Sequence, residues 1–269
     1  MVNSALAAVL WCSVGGASPQ SPAIVVKQDN MPDVCQVDPR VEALVEDGGN
    51  MCAPAAASNA LMWLAANGYP NLLGQNQSGQ DAQATLIAEL ASSKFRNTDR
   101  SSGTSPRALV IGLERFFADR NYDVMVETMG WRSGTRRIGR VPQIEWMLKS
   151  TASDSNLILN IGWYTYDEET RIYQRIGGHY VTVAGYKQDG SRLTLFVHDP
   201  SARDGLEPHT LTCTLKPLHE GTKLRLQEGD TQDASGFFEL HGIRVKRRAD
   251  LGIIDGAIAF APRPNGAPD

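Results

Sequence analysis

Helix-type and strand-type patterns are segregated along this 269-residue chain, and this segregation restricts its fold more than any other feature. Up to residue 150 the apolar residues recur mainly at helical spacing, whereas runs of β-branched and aromatic residues, separated by turn signals, follow from residue 155. Chains in which helices precede strands form α+β domains. The sequence therefore predicts an α+β fold in which an N-terminal helical lobe packs on a C-terminal antiparallel β-sheet.

Four helices are predicted in the first part of the chain. The first begins almost at Cys52, because Pro54 is tolerated only in the first helical turn, and Gly68 ends it. Ser105 is a suitable N-cap for a later helix. The other three predicted helices cover residues 81–92, 105–120 and 141–150.

The rest of the chain is predicted as strands and connecting segments. A strand is expected over residues 122–128, and further strands are separated by turns at Asp167-Glu168, Gly177-Gly178 and Gln188-Asp189-Gly190. Trp163 and Tyr164 belong to an aromatic strand segment and are candidates for lining a groove. We expect an extended lead-in over residues 18 to about 40, one domain over residues 34–262, and a disordered tail over 263–269.

The charge balance excludes two classes of partner. The net charge is -4 and the pI about 5.8, which gives no electrostatic basis for binding nucleic acid or an anionic membrane. The sequence also lacks the paired Cys and His spacings of zinc sites, so neither a metal nor another cofactor is expected. We expect a monomer.

The first residues suggest export from the cytoplasm. The apolar stretch from Ala5 to Val14 has the length of a signal-peptide core, and small residues ending at Ala17 form a suitable cleavage site. This pattern predicts a signal peptide over residues 1–20 and a secreted protein. No basic residue precedes the apolar stretch, so an upstream start or an ordinary N-terminal strand or helix is the alternative.

Removal of such a signal would leave three cysteines, Cys35, Cys52 and Cys213. An odd number of cysteines in an exported protein requires an unpaired thiol. One interpretation pairs Cys35 with Cys213 and leaves Cys52 free. The alternative is three reduced, buried thiols, and the sequence alone does not decide between them.

Three residues are candidates for nucleophilic chemistry. Cys52 lies at a predicted helix N-terminus, where the helix dipole stabilises the thiolate that attacks carbonyl groups. His179 opens a strand after Gly177-Gly178 and is the best candidate for a base. Asp199 ends the next strand, which an antiparallel pairing would return beside His179. Its neighbour His198 would point to the opposite face.

These residues occur in segments that resemble a known family. "CAPAAASNALMWLA", "GGHYVTVAGY" and "VHDPS" are similar to the three motif blocks of C39-like peptidases, within the papain-like cysteine protease superfamily, over roughly residues 34–200. The resemblance implies a papain-like fold, a peptide or protein as substrate, and hydrolysis of a peptide or amide bond through a thioester. It implies Cys52 as nucleophile, His179 as general base and Asp199 as the acid that orients it, without a cofactor.

One position departs from the family pattern. Such enzymes usually place a glutamine six residues before the nucleophile to donate a hydrogen bond to the oxyanion, whereas this chain has Glu46 there. An ionised carboxylate cannot donate. Asn50 is one substitute, and Gln36 is another if residues 37–49 form an insertion. The backbone N–H of Cys52 is a further donor.

Two other functions remain open at this point. The same residues would serve an amidase or an acyl transferase of transglutaminase type, which differ from a peptidase in substrate or acceptor. A catalytically inactive peptide-binding domain on the same fold is the third interpretation, and Glu46 favours it.

Overall fold

The computed structural model describes residues 23–263, except 28, 46–47, 75–77, 97, 99–101, 133, 153, 204, 206 and 247. The predicted signal peptide (1–20), Glu46 and the predicted tail beyond Arg263 therefore lie outside the described residues. The described part is an α+β protein, with N-terminal helices packed on a large, mixed, mostly antiparallel C-terminal sheet. The predicted fold class is confirmed at this level.

The helices match the sequence pattern closely, with one addition. Ser105 caps its helix as predicted, because its Oγ accepts a 3.2 Å hydrogen bond from the N–H of Ala108. The first helix was not predicted, since it is short and buries only Val41. The α-helices of the described part are α1 (Pro39–Val45), α2 (Cys52–Ala66), α3 (Gly79–Ala91), α4 (Pro106–Asp119) and α5 (Ile144–Ala152). None of them is long and apolar enough to cross a membrane.

Strands make up most of the remaining described chain. Three of them are only three residues long and had no sequence signal. The strands are β1 (Ala23–Val26), β2 (Asp123–Gly130), β3 (Arg137–Gly139), β4 (Asn156–Asp167), β5 (Ile172–Asp189), β6 (Arg192–His198), β7 (Thr210–Pro217), β8 (Lys223–Arg225), β9 (Thr231–Asp233), β10 (Phe238–His241) and β11 (Leu251–Arg263). Neighbouring strands run antiparallel except in the β2–β3 and β5–β8 pairs.

Six of these strands pair in a closed cycle. β11 pairs with β4, and pairing continues through β5, β6, β7 and β10 back to β11. Leu157, Leu159 and Ile161 of β4 contribute to an apolar core together with residues of the other five strands and of α5. Side chains alternate between faces along a strand, so Ile158 joins a different core, shared with the helices. Each long strand therefore stabilises two layers.

The helical layer is anchored on β5. Alanines along α2 are fully buried, and their small side chains allow the helix to approach the sheet closely. Thr182 of β5 donates a 2.6 Å hydrogen bond to the carbonyl of Ala56 in α2. Phe116 and Phe117 of α4 complete this core. The packing fixes the start of α2 against the middle of β5, which brings Cys52 to His179.

The predicted turn at Gly177-Gly178 is wrong, because β5 runs through both glycines without interruption. The register with β4 shifts at Ile176, which is the extra residue of a β-bulge. The glycines are needed for space. A Cβ on Gly177 would lie 3.3 Å from the indole of Trp163, and one on Gly178 would collide with the guanidinium of Arg175.

The sheet also begins earlier than the predicted domain boundary at residue 34. β1 lies within the expected lead-in and pairs antiparallel with the far end of β5, from Ala23 opposite Gln188 to Val26 opposite Gly185. Lys27, next to β1, donates a 2.6 Å hydrogen bond to the carbonyl of Ser155. The part of the lead-in that forms β1 is therefore extended, as predicted, and belongs to the sheet.

Candidate active site

Cys52 is the first residue of α2 and lies where the helical and β layers meet. The preceding residue, Met51, provides no side-chain cap, so the first N–H groups of the helix are not satisfied by a capping side chain. The Cys52 side chain is partly exposed and lines two cavities, of about 400 and about 560 Å³. Asn50, Cys52 and Gly178 line both cavities. The two cavities together form one cleft, and Cys52 lies where they meet.

His179 and Asp199 meet as the sequence predicted. His179 Nε2 lies 2.6 Å from Asp199 Oδ1, and both side chains are buried. Asp199 Oδ1 also accepts a 2.8 Å hydrogen bond from the backbone N–H of Ser201, and the Ser201 hydroxyl lies 3.0 Å from His179 Nε2. These contacts occupy Nε2, so Nδ1 is the ring nitrogen left to face Cys52.

The charges of Cys52 and His179 are strongly coupled. Burial alone raises the pKa of the Cys52 thiol, but a hydrogen bond with His179 and further ones from the N–H groups of Tyr180 and Ala53 outweigh it, so this pKa lies below its ordinary value. For His179, burial lowers the pKa. The hydrogen bonds and charges of Asp199 and Cys52 have the larger effect and raise this pKa to about 10. Both shifts act in the same direction, because each favours a thiolate on Cys52 paired with an imidazolium on His179.

Asp199 is held as a carboxylate. Burial raises the pKa of Asp199. The hydrogen bond and charge of His179 and the hydrogen bonds of Ser201 lower it by more, so the pKa lies below its ordinary value. A negative charge beside Nε2 stabilises the imidazolium and fixes the plane of its ring. The arrangement therefore favours a charged nucleophile over a neutral thiol.

The two aromatic candidates of β4 have different surroundings. The indole of Trp163 stacks on the imidazole of His179, with ring centroids 5.9 Å apart and planes 21° apart, and it lines the larger cavity. Tyr164 is fully buried, and its hydroxyl donates a 2.5 Å hydrogen bond to Asp255. Trp163 therefore faces the cleft, whereas Tyr164 is part of the interior.

The two proposed oxyanion donors both lie beside the nucleophile. Gln36 lines the larger cavity with Cys52 and His179, and α1 lies in the segment that separates it from Cys52 in sequence. Its Nε2 donates a 2.7 Å hydrogen bond to the carbonyl of Gly49, whereas its buried Oε1 has no partner among the described residues. Asn50 lines both cavities. The first-turn N–H of Cys52 is the third donor of this group.

The predicted alternatives for the cysteines are resolved in favour of free thiols. Cys35, Cys52 and Cys213 are all unpaired, so the structure does not contain the Cys35–Cys213 disulfide. Cys35 is buried and its thiol donates to the carbonyl of Ser201 over 3.6 Å. Burial raises the pKa of the Cys213 thiol to about 12. Cys52 is therefore the accessible thiol of the three and the one stabilised as a thiolate.

Sequence reasoning missed a polar group beneath the smaller cavity. Asp255 is fully buried and binds Arg175 Nε at 2.6 Å, and Arg132 lies beside Arg175 in the cavity wall. Asp255 and Arg175 are eighty residues apart, so only tertiary contact brings them together. An aspartate within the apolar strand "IIDGAIAF" was the one available signal, since a buried acid requires a partner.

No cluster of three or more His, Cys, Asp or Glu side chains in the described part has the arrangement of a metal site. Compared with the models of known protein families and with curated protein sequences, the chain matches none.

Proposed function

We propose that this protein is a cysteine peptidase with a papain-like fold, which hydrolyses a peptide or amide bond through a thioester on Cys52. One observation carries the proposal: the imidazole of His179 contacts the Cys52 thiol and, at 2.6 Å, the Asp199 carboxylate. A nucleophile, a base and an orienting acid in this order are the minimal set for acyl transfer.

The first half of the proposed reaction forms the thioester. The Cys52 thiolate attacks the carbonyl carbon, a C–S bond forms, and the carbonyl π electrons move to the oxygen. Imidazolium Nδ1 of His179 then donates its proton to the amide nitrogen. The C–N bond breaks, the amine leaves, and the acyl group remains on Sγ.

The second half returns the enzyme to its starting state. Neutral His179 takes a proton from water, the hydroxide formed attacks the thioester carbon, and the C–S bond breaks. The products are a carboxylic acid and the Cys52 thiolate, with the proton again on His179. Asp199 holds the ring orientation in both halves without accepting a proton.

Gln36 is the side chain best suited to stabilise the tetrahedral oxyanion. Its Nε2 carries two N–H groups, and the bond to Gly49 uses one of them. That bond also fixes the amide beside the nucleophile. The first-turn N–H of Cys52 is the second donor to the oxyanion in this proposal. In this proposal the segment between Gln36 and Cys52, which contains α1, is an insertion relative to the family pattern.

Labelling with iodoacetamide tests whether Cys52 is a nucleophile. The reaction of the folded protein at pH 6 is expected to exceed that of the unfolded chain, because the ion pair keeps Cys52 ionised below the ordinary pKa of a thiol. Cys52→Ser is expected to abolish this fast phase. Cys35→Ser is the matched control and is expected to retain it, since Cys35 is buried. Labelling no faster than that of the unfolded chain would contradict the proposal and support a peptide-binding domain.

Product analysis separates hydrolysis from transfer. A peptide library incubated with the protein is expected to yield free carboxylic acids in the presence of added glycinamide. A new amide formed from glycinamide in preference to the acid would instead assign the same chemistry to an acyl transferase. Cys52→Ser controls for contaminating peptidases.

A further inference from the structure

The smaller cavity beside Cys52, which we call the arginine pocket, has a charge opposite to that of the whole chain. Its volume is about 400 Å³, and its polar walls include Arg132, Arg175 and Asn160. No aspartate or glutamate is among the described residues that line it. The chain as a whole carries a net charge of -4. Positive charge therefore lines this part of the cleft next to the nucleophile, and the larger cavity is lined by Arg244 and Lys246 as well.

Arg175 is fixed in this pocket before any ligand binds. The side chain is only 9% exposed, and its Nε donates to Asp255 at 2.6 Å. Asp255 also accepts hydrogen bonds from the Tyr164 hydroxyl at 2.5 Å and from Trp131 Nε1 at 3.3 Å. This network uses one nitrogen of the guanidinium. The two terminal nitrogens have no hydrogen-bond partner in the part of the chain that the structure describes.

One terminal nitrogen of Arg175 lies against the strand that carries His179. A Cβ on Gly178 would collide with Arg175 Nη2, so the guanidinium packs directly on the backbone next to His179. The missing side chain at Gly178 keeps this approach open. Arg175 and Cys52 line the same cavity, so an anionic group held by Arg175 would share that cavity with a carbonyl at Cys52.

Arg132 supplies a second guanidinium and leaves the pocket with an excess of positive charge. Its side chain is partly exposed, and no described carboxylate forms an ion pair with it. Asp255 compensates one of the two arginines, so about one positive charge remains. The start of α4 also lines the pocket through Ser105 and Pro106, and a helix N-terminus adds a positive potential of the same sign.

We infer that the arginine pocket binds a carboxylate of the substrate beside the scissile bond, so that the enzyme selects acidic peptides. The inference rests on the proposed function. Guanidinium groups bind carboxylates in a planar, two-point geometry, and Arg175 is already held in place, which lowers the entropic cost of binding. In a peptide, the carboxylate belongs either to an Asp or Glu side chain or to the free C-terminus.

Matched peptides measure this selectivity. Glu is placed in turn at each of the two positions on either side of the scissile bond and compared with Gln, which has the same shape without the charge. At one position kcat/KM is expected to be about 10- to 100-fold higher for Glu. A parallel set compares a free C-terminus with an amide. Dependence on the free C-terminus alone would assign the carboxylate to the peptide end, whereas indifference to both changes would overturn the inference.

Two variants locate the selectivity in the arginine pocket. Arg132→Gln and Arg175→Lys are each expected to lower the Glu-to-Gln ratio, mainly through KM of the Glu peptide. Lysine keeps a charge beside Asp255 but loses the planar fork, so Arg175→Lys remains informative if larger changes prevent folding. Arg136→Gln is the matched control, because Arg136 is exposed and pairs with Glu114 outside the pocket. A ratio unchanged in both pocket variants would overturn the location.

The labelling of Cys52 separates this inference from the proposed function. Fast labelling by iodoacetamide without any Glu preference would overturn the inference alone. Slow labelling would overturn the proposed chemistry and with it the basis for an acidic substrate. Charge reversal gives a positive control: Arg132→Glu is expected to lower the rate for Glu peptides and raise it for the matching Lys peptides.

Discussion

His179 and His198 stand on neighbouring strands, β5 and β6, and both imidazoles are buried, yet their surroundings differ in nearly every respect. His179 Nε2 lies 2.6 Å from the Asp199 carboxylate, and its ring also contacts the Cys52 thiol. His198 Nδ1 instead lies 3.0 Å from the carbonyl of Pro32, and its Nε2 lies 3.0 Å from the hydroxyl of Thr210. One histidine has charged partners and the other has neutral ones.

The difference shows that burial alone does not decide the charge of an imidazole. Burial lowers the pKa of both rings, and for His198 it prevails, so its pKa lies below the ordinary value. Around His179, Asp199 and Cys52 reverse the effect and raise the pKa to about 10. The two nearest acids differ in the same way, since burial raises the pKa of Asp33, near His198, whereas His179 holds that of Asp199 down. His198 is thus suited to join segments, and His179 to move protons.

The most severe test of this comparison removes each imidazole in turn. His179→Ala is expected to lower kcat/KM by about 10⁴–10⁶-fold, because both the thiolate and the proton for the leaving amine depend on it. His198→Ala is the matched change on the next strand and is expected to cost stability instead. Steady-state kinetics on one peptide and thermal unfolding of each variant make the measurement. Similar kinetic losses in two folded variants would break the comparison.

Substitutions of the two acids, Asp199 and Asp33, are expected to differ less in kcat/KM than those of the two histidines. Asp199→Ala is expected to lower kcat/KM by about 10²–10⁴-fold, since the imidazolium loses its compensating charge and its orientation. Asp199→Asn keeps an oxygen acceptor for the ring and is expected to retain more activity. Asp33→Asn is the control, because Asp33 bonds the N–H of His209 and pairs with Arg203 away from Cys52. Loss of activity in Asp33→Asn equal to that in Asp199→Asn would contradict the assignment.

The pH profile of kcat/KM sharpens the view of His179 as a charged group. The acid limb is expected where Cys52 loses its charge, below the ordinary pKa of a thiol. The alkaline limb is expected near pH 10, where the imidazolium deprotonates. Beyond each limb the rate falls by about tenfold per pH unit. An acid limb at the ordinary pKa of a thiol would mean that the ion pair does not form.

The smallest expected effect concerns stability and His198. Because its pKa in the folded state lies below the ordinary 6.5, the unfolded chain binds the proton more tightly. His198 therefore costs no stability above pH 6.5 and lowers the free energy of unfolding as the pH falls through this value. His198→Gln is expected to lose about 1 kcal/mol at pH 7 and to show a weaker decline between pH 7 and 5. Urea unfolding at several pH values checks this, and parallel curves for the two proteins would contradict it.

Local rules were enough to predict the positions of the three site residues. Pro54 fixed the start of α2 at Cys52, and strand alternation indicated that Asp199, and not His198, would face His179. Turn rules failed at Gly177-Gly178, because a glycine pair that marks a turn in most sequences here makes room for Trp163 and Arg175. The fold class followed from the order of patterns. The closure of six strands into a cycle could not be predicted in this way. It is completed by the β10–β11 pairing of Glu239 with Ile253, which leaves no local pattern in the sequence.

The environment of the site depended on contacts that no spacing rule contains. Asp255 reaches Arg175 across eighty residues, and Gln36 lines the same cavity as Cys52 although α1 lies between them in sequence. From the sequence, Gln36 is a candidate donor only on the condition that residues 37–49 form an insertion. The contact on which our proposal prefers Gln36 to Asn50, the 2.7 Å hydrogen bond from its amide to the carbonyl of Gly49, is a tertiary contact.

The stacking of Trp163 on His179 has an optical consequence. Protonated imidazole quenches excited indole more strongly than neutral imidazole does, and the two rings are only 5.9 Å apart at their centroids. The emission of Trp163 therefore reports the charge on His179, and the protein carries its own fluorescent indicator of the ion pair. A titration of the free protein, with Trp163→Phe as the blank, follows that charge without substrate or label.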